Sequence, residues 1–574
     1  MIEPRYGVLQ TLFADRVFRI PPYQRFYSWQ KRQRKDLFDD LEKLATGSAD
    51  QHHFMATLVC HRTEETKDIG AAQYRLYDVV DGQQRLTTLI LLLKSIELAL
   101  PESSEDRREL TRTLVKRDGH LILLQTNNAN AFIFNRFIRE GVTPNGKEIE
   151  THSDRNLASA IQECQRFVDS WKSAPKDILS LMRLVLHRLG FVVFDTEDSR
   201  VVYTIFEVLN SRGLAVDWLD KTKSVLMGRM YELSLTTSAA EAEIEALQSI
   251  WSLIYREIAK EDVPGEEILR VTATLYYGPG QGKPRSAEDS LDLLRQECET
   301  FATPREISQR LLDVARNLVE LYASRHLGPV TGILHARLLA VAIKSARGVT
   351  EDERLKLLEQ WERVTFRIFG LFGRDSRTKV GDYVRLASKI VTQDIETRTY
   401  NEIMRRLHEL GREFPIGQAA DEGLVGQDYY EHPEECRYLL WSYEEHLAHM
   451  LSKGATVDEN DRVRVWKLRA SDSIEHIFPQ NPSGSAWQGK MRTADGTIQP
   501  LERNVGRIGN LLLLPVALNQ EVQNSAFATK KKIYAQHHLR MIDQVCEEHD
   551  WTLSEIEARE AQIVAWAKTR WCDL

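Results

Sequence analysis

The sequence predicts an α+β protein that is mainly helical: an N-terminal α/β domain, a helical middle and a C-terminal ββα-metal hairpin and helix. Three observations predict this. Tyr74–Val80 is rich in aromatic and β-branched residues and runs through Asp81-Gly82 into Leu86, Leu89, Ile90, Leu93 and Ile96 at helical spacing. Residues 225 to 450 carry long amphipathic segments and no clear strand signal. Near the C-terminus the pair Glu475-His476 is followed by Asn510 and then Asn519.

The 574 residues suggest about three or four domain-sized units. We divide them as 1–225, the α/β domain; 226–450, the helical middle; and 451–574, the hairpin domain. Hydrophobic content of 42% and charged content of 28% are those of a soluble globular chain. A net charge of -8 argues against a protein that coats nucleic acid over its whole surface, but allows a local basic groove. The six cysteines form no CxxC pair, which argues against a zinc ribbon and fits reduced thiols in a cytoplasm. The N-terminus has no apolar signal core, and the longest apolar runs, Leu86–Leu93 and Leu511–Leu518, are too short to span a bilayer. The expectation is a cytoplasmic protein with no membrane partner.

Taken in order, a strand at Arg16–Ile20 leads into Pro21-Pro22, which fix an extended backbone. Tyr23, Gln24 and Arg25 follow, set beside Phe26, Tyr27 and Trp29. Aromatic faces next to an arginine suit a stacked base and its phosphate. The alternative is a packed domain edge, which is the better reading for Phe26 and Trp29. Lys31–Lys35 begins a helix with a solvated basic face. His53–Cys60 and Gly190–Phe194 are further strands, and the stretch from 129 to 189 is helical. A helix face with Val202, Ile205, Phe206 and Leu209 ends at Asn210-Ser211-Arg212-Gly213, either a second polar wall of a site or a capped helix end. Tyr277–Pro284 imitates a phosphate loop but lacks its spacing and its Ser or Thr, so it is a connector. Gly423–His432 and Lys453–Asp461 are expected surface loops.

The turn Asp81-Gly82-Gln83-Gln84-Arg85 stands where strand meets helix. A helix N-terminus carries roughly +0.5 charge and unpaired N–H groups. Gln83, Gln84 and Arg85 add side-chain donors there, an arrangement that suits a nucleotide or DNA phosphate. The alternative is a capped helix whose arginine pairs with a nearby acid.

In the C-terminal segment Glu475 and Asn519 supply the hard oxygens that Mg2+ or Mn2+ takes. His476, with an ordinary pKa of about 6.5, can take a proton from water. Asn510 is placed to orient the imidazole through its other nitrogen. Between Lys490 and Lys532 seven basic residues, Arg503, Arg507, Lys530 and Lys531 among them, face three acids, a local excess of +4 that suits a phosphate backbone.

The runs Ile20–Trp29, Asp81–Arg85 and Phe206–Gly213 resemble the motifs of the N-terminal domain of GmrSD-type modification-dependent restriction proteins, itself similar to the ParB/sulfiredoxin fold. Ile474–Gln480, Ile508–Leu514 and Asn519–Tyr534 resemble the HNH nuclease domain that those proteins carry. The layout is also similar to that of SspE, a sensor of phosphorothioate DNA. The resemblance implies binding and hydrolysis of a nucleoside triphosphate, GTP first among them, by Gln24, Arg25, Asp81, Gly82, Gln83, Gln84, Arg85 and Asn210. It implies Mg2+-dependent nicking or cleavage of double-stranded DNA, modified phage DNA above all. His476 matches the general base, Glu475 and Asn519 the metal ligands, and Asn510 the structural asparagine. Tyr23, with Arg503, Arg507, Lys530 and Lys531, falls to DNA. Tyr23 and Gln24 are open to modification sensing as well as to the nucleotide. The chain departs from the pattern at Glu475, where many HNH domains have Asp, and Asn524 rivals Asn519. A homo-oligomer is compatible with all of this. The competing reading is a nucleotide-dependent DNA-binding regulator whose nuclease is vestigial or partner-dependent; a third makes the N-terminal site a DNA-phosphate clamp.

Overall fold

The computed structural model describes the chain except for residues 1–3, 15, 49–51, 70–71, 117–120, 127–129, 174–176, 199–200, 203–204, 206–216, 234–236, 279–281, 300–302, 325–326, 393–398, 452–472, 483–484, 515 and 537–538. Asn210 and its loop, and the segment 453–461, lie outside the described residues. Long-range contacts divide the chain into two compact units, Met1–Ala273 with Ser286–Val319, and Thr274–Arg285 with Glu320–Leu574.

The first unit is built on a mixed sheet. Its strands are β1 (Arg5–Val8), β2 (Arg16–Ile20), β3 (His53–Ile69), β4 (Ala72–Asp81), β7 (Leu124–Thr126) and β8 (Leu189–Thr196); β5 (Val115–Lys116) and β6 (Leu121–Ile122) form a separate ribbon. The order is β1-β8-β3-β4-β2-β7. β3 runs antiparallel to β4, whereas β2 runs parallel to β4 and places Arg19 opposite Asp78. That register lets Arg19 Nε meet Asp78 Oδ1 at 2.6 Å across the pair. The apolar residues expected on one helix face, Leu86, Leu89, Ile90, Leu93 and Ile96, are all buried. The helix that carries them, Gln83–Ala99, is buried on nearly every side, against helices His152–Ser173 and Glu105–Leu114. The expected solvated face at Lys31–Lys35 is interrupted by Arg34, which is buried in an ion pair with Glu163 at 2.8 Å.

Among the described residues from 225 to 450 no β-strand occurs, as the sequence predicts. The phosphate-loop imitation follows a helix, Gly265–Tyr276, so no strand feeds it. The segment Gly423–His432 is exposed at Val425–Asp428, Glu431 and His432, as expected of a surface loop, but it holds the end of helix Ile416–Leu424 and a 3-10 turn, Tyr429–Glu431, whose Tyr429 is buried and donates to the Gly370 carbonyl.

In the second unit helices lead to a short antiparallel pair, β9 (Ile474–His476) and β10 (Leu511–Leu513), with Leu511 opposite His476. Helices Val516–Val522, Phe527–Tyr534, Arg540–Glu547 and Leu553–Arg570 follow. The protein is thus α+β and mainly helical with a mixed sheet. No helix among the described residues is long and apolar enough to cross a membrane.

Candidate functional site

The two polar constellations expected from sequence lie in different units, and each is built by its own hairpin or turn. In the first unit the segment after Pro21-Pro22 is stapled to the start of helix Gln83–Ala99. Gln84 Oε1 accepts from the Ser28 N–H at 3.0 Å, its Nε2 donates to the Phe26 carbonyl at 3.1 Å, and the Tyr27 and Thr88 hydroxyls meet at 2.8 Å. Gln24 is buried, donates to the Val80 carbonyl at 3.0 Å and accepts from Lys223 Nζ at 2.8 Å. Burial pushes Lys223 down to about 8, against the pull of Asp220. Gly82 takes φ of 90°, and a Cβ there would meet Leu58 Cδ1 at 3.0 Å and the Thr57 carbonyl oxygen at 3.2 Å. The turn therefore requires glycine.

Arg25 and Arg85 line one cavity of ≈ 1100 Å³, together with Trp29, His152, Asp217, Trp218 and Tyr255. They differ in state. Arg25 Nε pairs with Asp220 at 3.1 Å and its Nη1 with Asp217 at 3.4 Å, while Tyr255 donates to Asp220 at 2.6 Å. Arg85, half-buried, makes no hydrogen bond or ion pair to any described residue. The helix start beside it has no side-chain cap. Burial pushes the Asp81 carboxyl up, opposed by the Gly82 N–H and by the Arg85 charge. The alternative of a capped helix whose arginine pairs with an acid is not met at Arg85 by any ion pair among the described residues, although its charge acts on Asp81.

Of the residues expected to hold a nucleotide, Gln24 and Gln84 are wall-builders whose amides are engaged by protein. Asp81 accepts from the Gly82 N–H at 2.8 Å, and Gln83 is buried with its Oε1 unpartnered among the described residues. Tyr23 is half-buried, with Lys223 Nζ 5.7 Å from its ring centre. The sequence reading missed Lys223 and Tyr255; both sit on helices whose periodicity marks them only as core-facing.

In the second unit β9 ends at His476, and the chain turns back through Ile477, whose N–H donates to the Asn510 carbonyl at 3.0 Å. The Asn510 side chain is saturated. Its Oδ1 accepts from the Phe478 N–H at 2.7 Å and from Trp551 Nε1 at 3.0 Å, and its Nδ2 donates to the Phe478 and Val505 carbonyls at 2.9 and 2.8 Å. The sequence reading expected it to orient the imidazole, but no capacity is left for that; it fixes the backbone just beyond His476 instead. His476 is buried, its Nε2 has no partner among the described residues, and the Tyr430 ring meets it edge-on at 4.5 Å. Burial, with the Lys530 charge adding to it, pushes the imidazole down to about 4. At neutral pH it is an uncharged base.

Glu475 is buried, and its Oε1 accepts from Lys530 Nζ at 2.6 Å and from the Tyr534 hydroxyl at 3.0 Å. Lys530 also donates to the His476 carbonyl at 2.8 Å. Asn519, half-buried, donates through Nδ2 to the Ile474 carbonyl at 3.2 Å, and its amide oxygen is the atom that a hard cation takes. Among the described residues no three His, Cys, Asp or Glu side chains cluster as a metal site. A hydrated Mg2+ needs accessible oxygens and keeps several waters. Glu475, buried against Lys530, does not meet that requirement in this arrangement.

The basic stretch also differs from its linear count. Lys530 has no exposed surface, and Arg507 is buried, its Nε 3.0 Å from Glu560 Oε2 and its Nη1 3.2 Å from Glu557. Neither can reach a phosphate backbone, because each neutralises an acid inside the fold. Lys531 is half-buried and donates to the Glu548 carbonyl at 2.7 Å, while Arg503 is exposed. Asn524 is exposed, and its carbonyl accepts from Trp487 at 3.3 Å. The sequence reading also missed Tyr534, Trp551 and Tyr430. The one available signal was the spacing of Lys530 and Tyr534, four apart on a helix.

Comparison with protein families gives a match for each constellation. Residues 9–227, which hold Arg25 and Arg85, match the N-terminal domain of the GmrSD restriction endonuclease. Residues 418–566, which hold the His476 hairpin and Asn519, match the C-terminal domain of GmrSD restriction endonucleases. No curated protein matches the chain. Two domains of one family, in order and together covering most of the sequence, leave a single assignment: the chain belongs to the GmrSD restriction endonucleases.

Proposed function

We propose that the protein is a cytoplasmic anti-phage endonuclease or nickase that cuts modified double-stranded DNA and whose cutting is regulated by a nucleoside triphosphate, GTP first among them. In this reading 451–574 is an HNH domain, 1–225 a ParB/sulfiredoxin-like NTPase domain and 226–450 the helical connection between them. The observation that carries it is His476: a neutral imidazole with an unpartnered Nε2, held at the end of a two-stranded hairpin. Such a base takes a proton from the water that attacks a phosphodiester. Cleavage depends on Mg2+ or Mn2+, which supplies charge stabilisation at the phosphate when bound, with Asn519 among its holders.

Arg85, with no hydrogen bond or ion pair to a described residue, and the helix start without a side-chain cap offer a triphosphate both charge and N–H donors. Arg25 lies across the same cavity, tied to Asp217 and Asp220. Nicking of supercoiled plasmid, modified and unmodified, with Mg2+ and with or without GTP, tests the whole reading. Wild type should nick modified DNA and His476→Ala should not; if both are inert on every substrate, the nuclease reading fails.

The second reading, a nucleotide-dependent DNA-binding regulator, draws support from the Glu475–Lys530 pair, which occupies an expected metal ligand. DNA binding that responds to nucleotide without any nicking would favour it. If Arg85→Ala abolishes nucleotide hydrolysis and leaves DNA binding intact, the phosphate-clamp reading is excluded.

A further inference from the structure

We propose that Glu475 is the anchor of the reactive hairpin rather than a metal ligand, and that Lys530, supported by Tyr534, is the residue that positions His476. This rests on the nuclease reading above and reassigns roles within its site.

Lys530 has no exposed surface, and its ammonium has two oxygen partners. One is Glu475 Oε1 at 2.6 Å and the other is the His476 carbonyl at 2.8 Å. Tyr534 donates to the same Glu475 oxygen at 3.0 Å. Lys530 and Tyr534 are one turn apart on helix Phe527–Tyr534 and so share a face. One short helix therefore grips two consecutive residues of β9, the acid by its side chain and the histidine by its backbone. A histidine held by its carbonyl keeps its ring placement only while that carbonyl stays fixed.

A buried ammonium is stable beside a carboxylate because each compensates the other. A divalent ion on the same carboxylate would put like charge next to Lys530 in a region from which water is excluded. Mg2+ also keeps several waters, which a carboxylate that is 4% exposed does not accommodate. Asn519 reaches the same strand at Ile474, is half-buried and offers a hard oxygen. The metal is thus assigned to the Asn519 side and to substrate phosphate oxygens. The longer arm of Glu475, compared with the Asp that many HNH domains carry, then has a purpose: it reaches the ammonium.

The test uses the full chain and Mn2+ alone, with calorimetric titration of wild type, Glu475→Gln, Asn519→Ala, Lys530→Met and the double variant Glu475→Gln/Lys530→Met. If Glu475 is an anchor, Glu475→Gln keeps Mn2+ affinity within about threefold, whereas Asn519→Ala loses about tenfold or more, because ligand charge and number set the affinity. Lys530→Met lowers Tm, and the double variant recovers most of that loss because no lone buried charge remains. Plasmid nicking stays low in the double variant, since the His476 carbonyl still lacks its donor; this separates positioning from stability. A tenfold loss in Glu475→Gln with Asn519→Ala unaffected overturns the proposal, as do additive Tm losses. Should Lys530→Met not fold, Glu475→Gln alone decides the metal assignment. If wild type neither binds Mn2+ nor nicks, the nuclease reading fails, and the Tm cycle still decides whether Glu475 is an anchor.

Discussion

Trp551 Nε1 donates to Asn510 Oδ1 at 3.0 Å, completing an amide whose three other bonds go to Phe478 and Val505. Asn510 is fully buried, so its alanine variant leaves an indole, an N–H and two carbonyls without partners. Asn510→Ala should destabilise the protein by on the order of 3 kcal/mol in urea unfolding. It should also lower nicking while leaving Mn2+ binding intact. Unfolding like that of wild type would mean that the amide does not organise the turn.

The depressed imidazole predicts a pH dependence. In the folded protein His476 protonates near pH 4, against an ordinary value of 6.5. Between those values the unfolded chain binds the proton and the folded protein does not. Stability should therefore fall as pH drops from 6.5 towards 4, and His476→Ala should flatten that part of the curve. The acid limb of cleavage should lie well below pH 6.5 for the same reason.

Arg25 and Arg85 should separate stability from ligand binding. Arg85 makes no hydrogen bond or ion pair to a described residue, so Arg85→Ala should change stability by no more than about 0.5 kcal/mol. Its GTP affinity should drop by about tenfold or more, the scale of one lost charge-assisted contact. Arg25→Ala leaves the buried Asp220 and the half-buried Asp217 without their cation and should cost about 3 kcal/mol. Equal effects of the two substitutions on both measurements would contradict the assignment.

The same contrast applies to DNA. Arg503 is exposed, and Arg503→Ala should reduce the salt dependence of DNA binding by about one unit of slope with little change in Tm. Arg507→Ala should instead cost about 3 kcal/mol, because Glu560 stays buried without its partner. Its salt slope should match that of wild type.

These contrasts mark what was legible in the sequence. The strand Arg16–Ile20 and the helix face Leu86–Ile96 were legible because packed strands and helices repeat at fixed periods. The order Glu475, His476, Asn510 marked the segments that β9 and β10 bring together, with Asn519 on the helix that follows. What was hidden is which atoms meet. Lys530, Lys531 and Lys532 are adjacent in sequence but point about 100° apart on a helix, so one faces inward while its neighbours do not. A linear charge count assigns all three to DNA. Arg25 finds its acids on a helix far along the chain, and no local pattern announces that. Asn510 has the right neighbours in order, yet its bonds go to the Phe478 backbone rather than to the imidazole.

Helix Leu553–Arg570 completes the hairpin from a distance. Arg559 donates to the Gly509 and Leu511 carbonyls at 2.7 and 2.8 Å, and Glu560 holds Arg507. A ribosome makes that helix only after both hairpin strands have emerged. Until it docks, the carbonyls on either side of Asn510 lack Arg559 as their donor, and Arg507 lacks Glu560 as its acceptor. The hairpin is thereby completed only at a late step of synthesis.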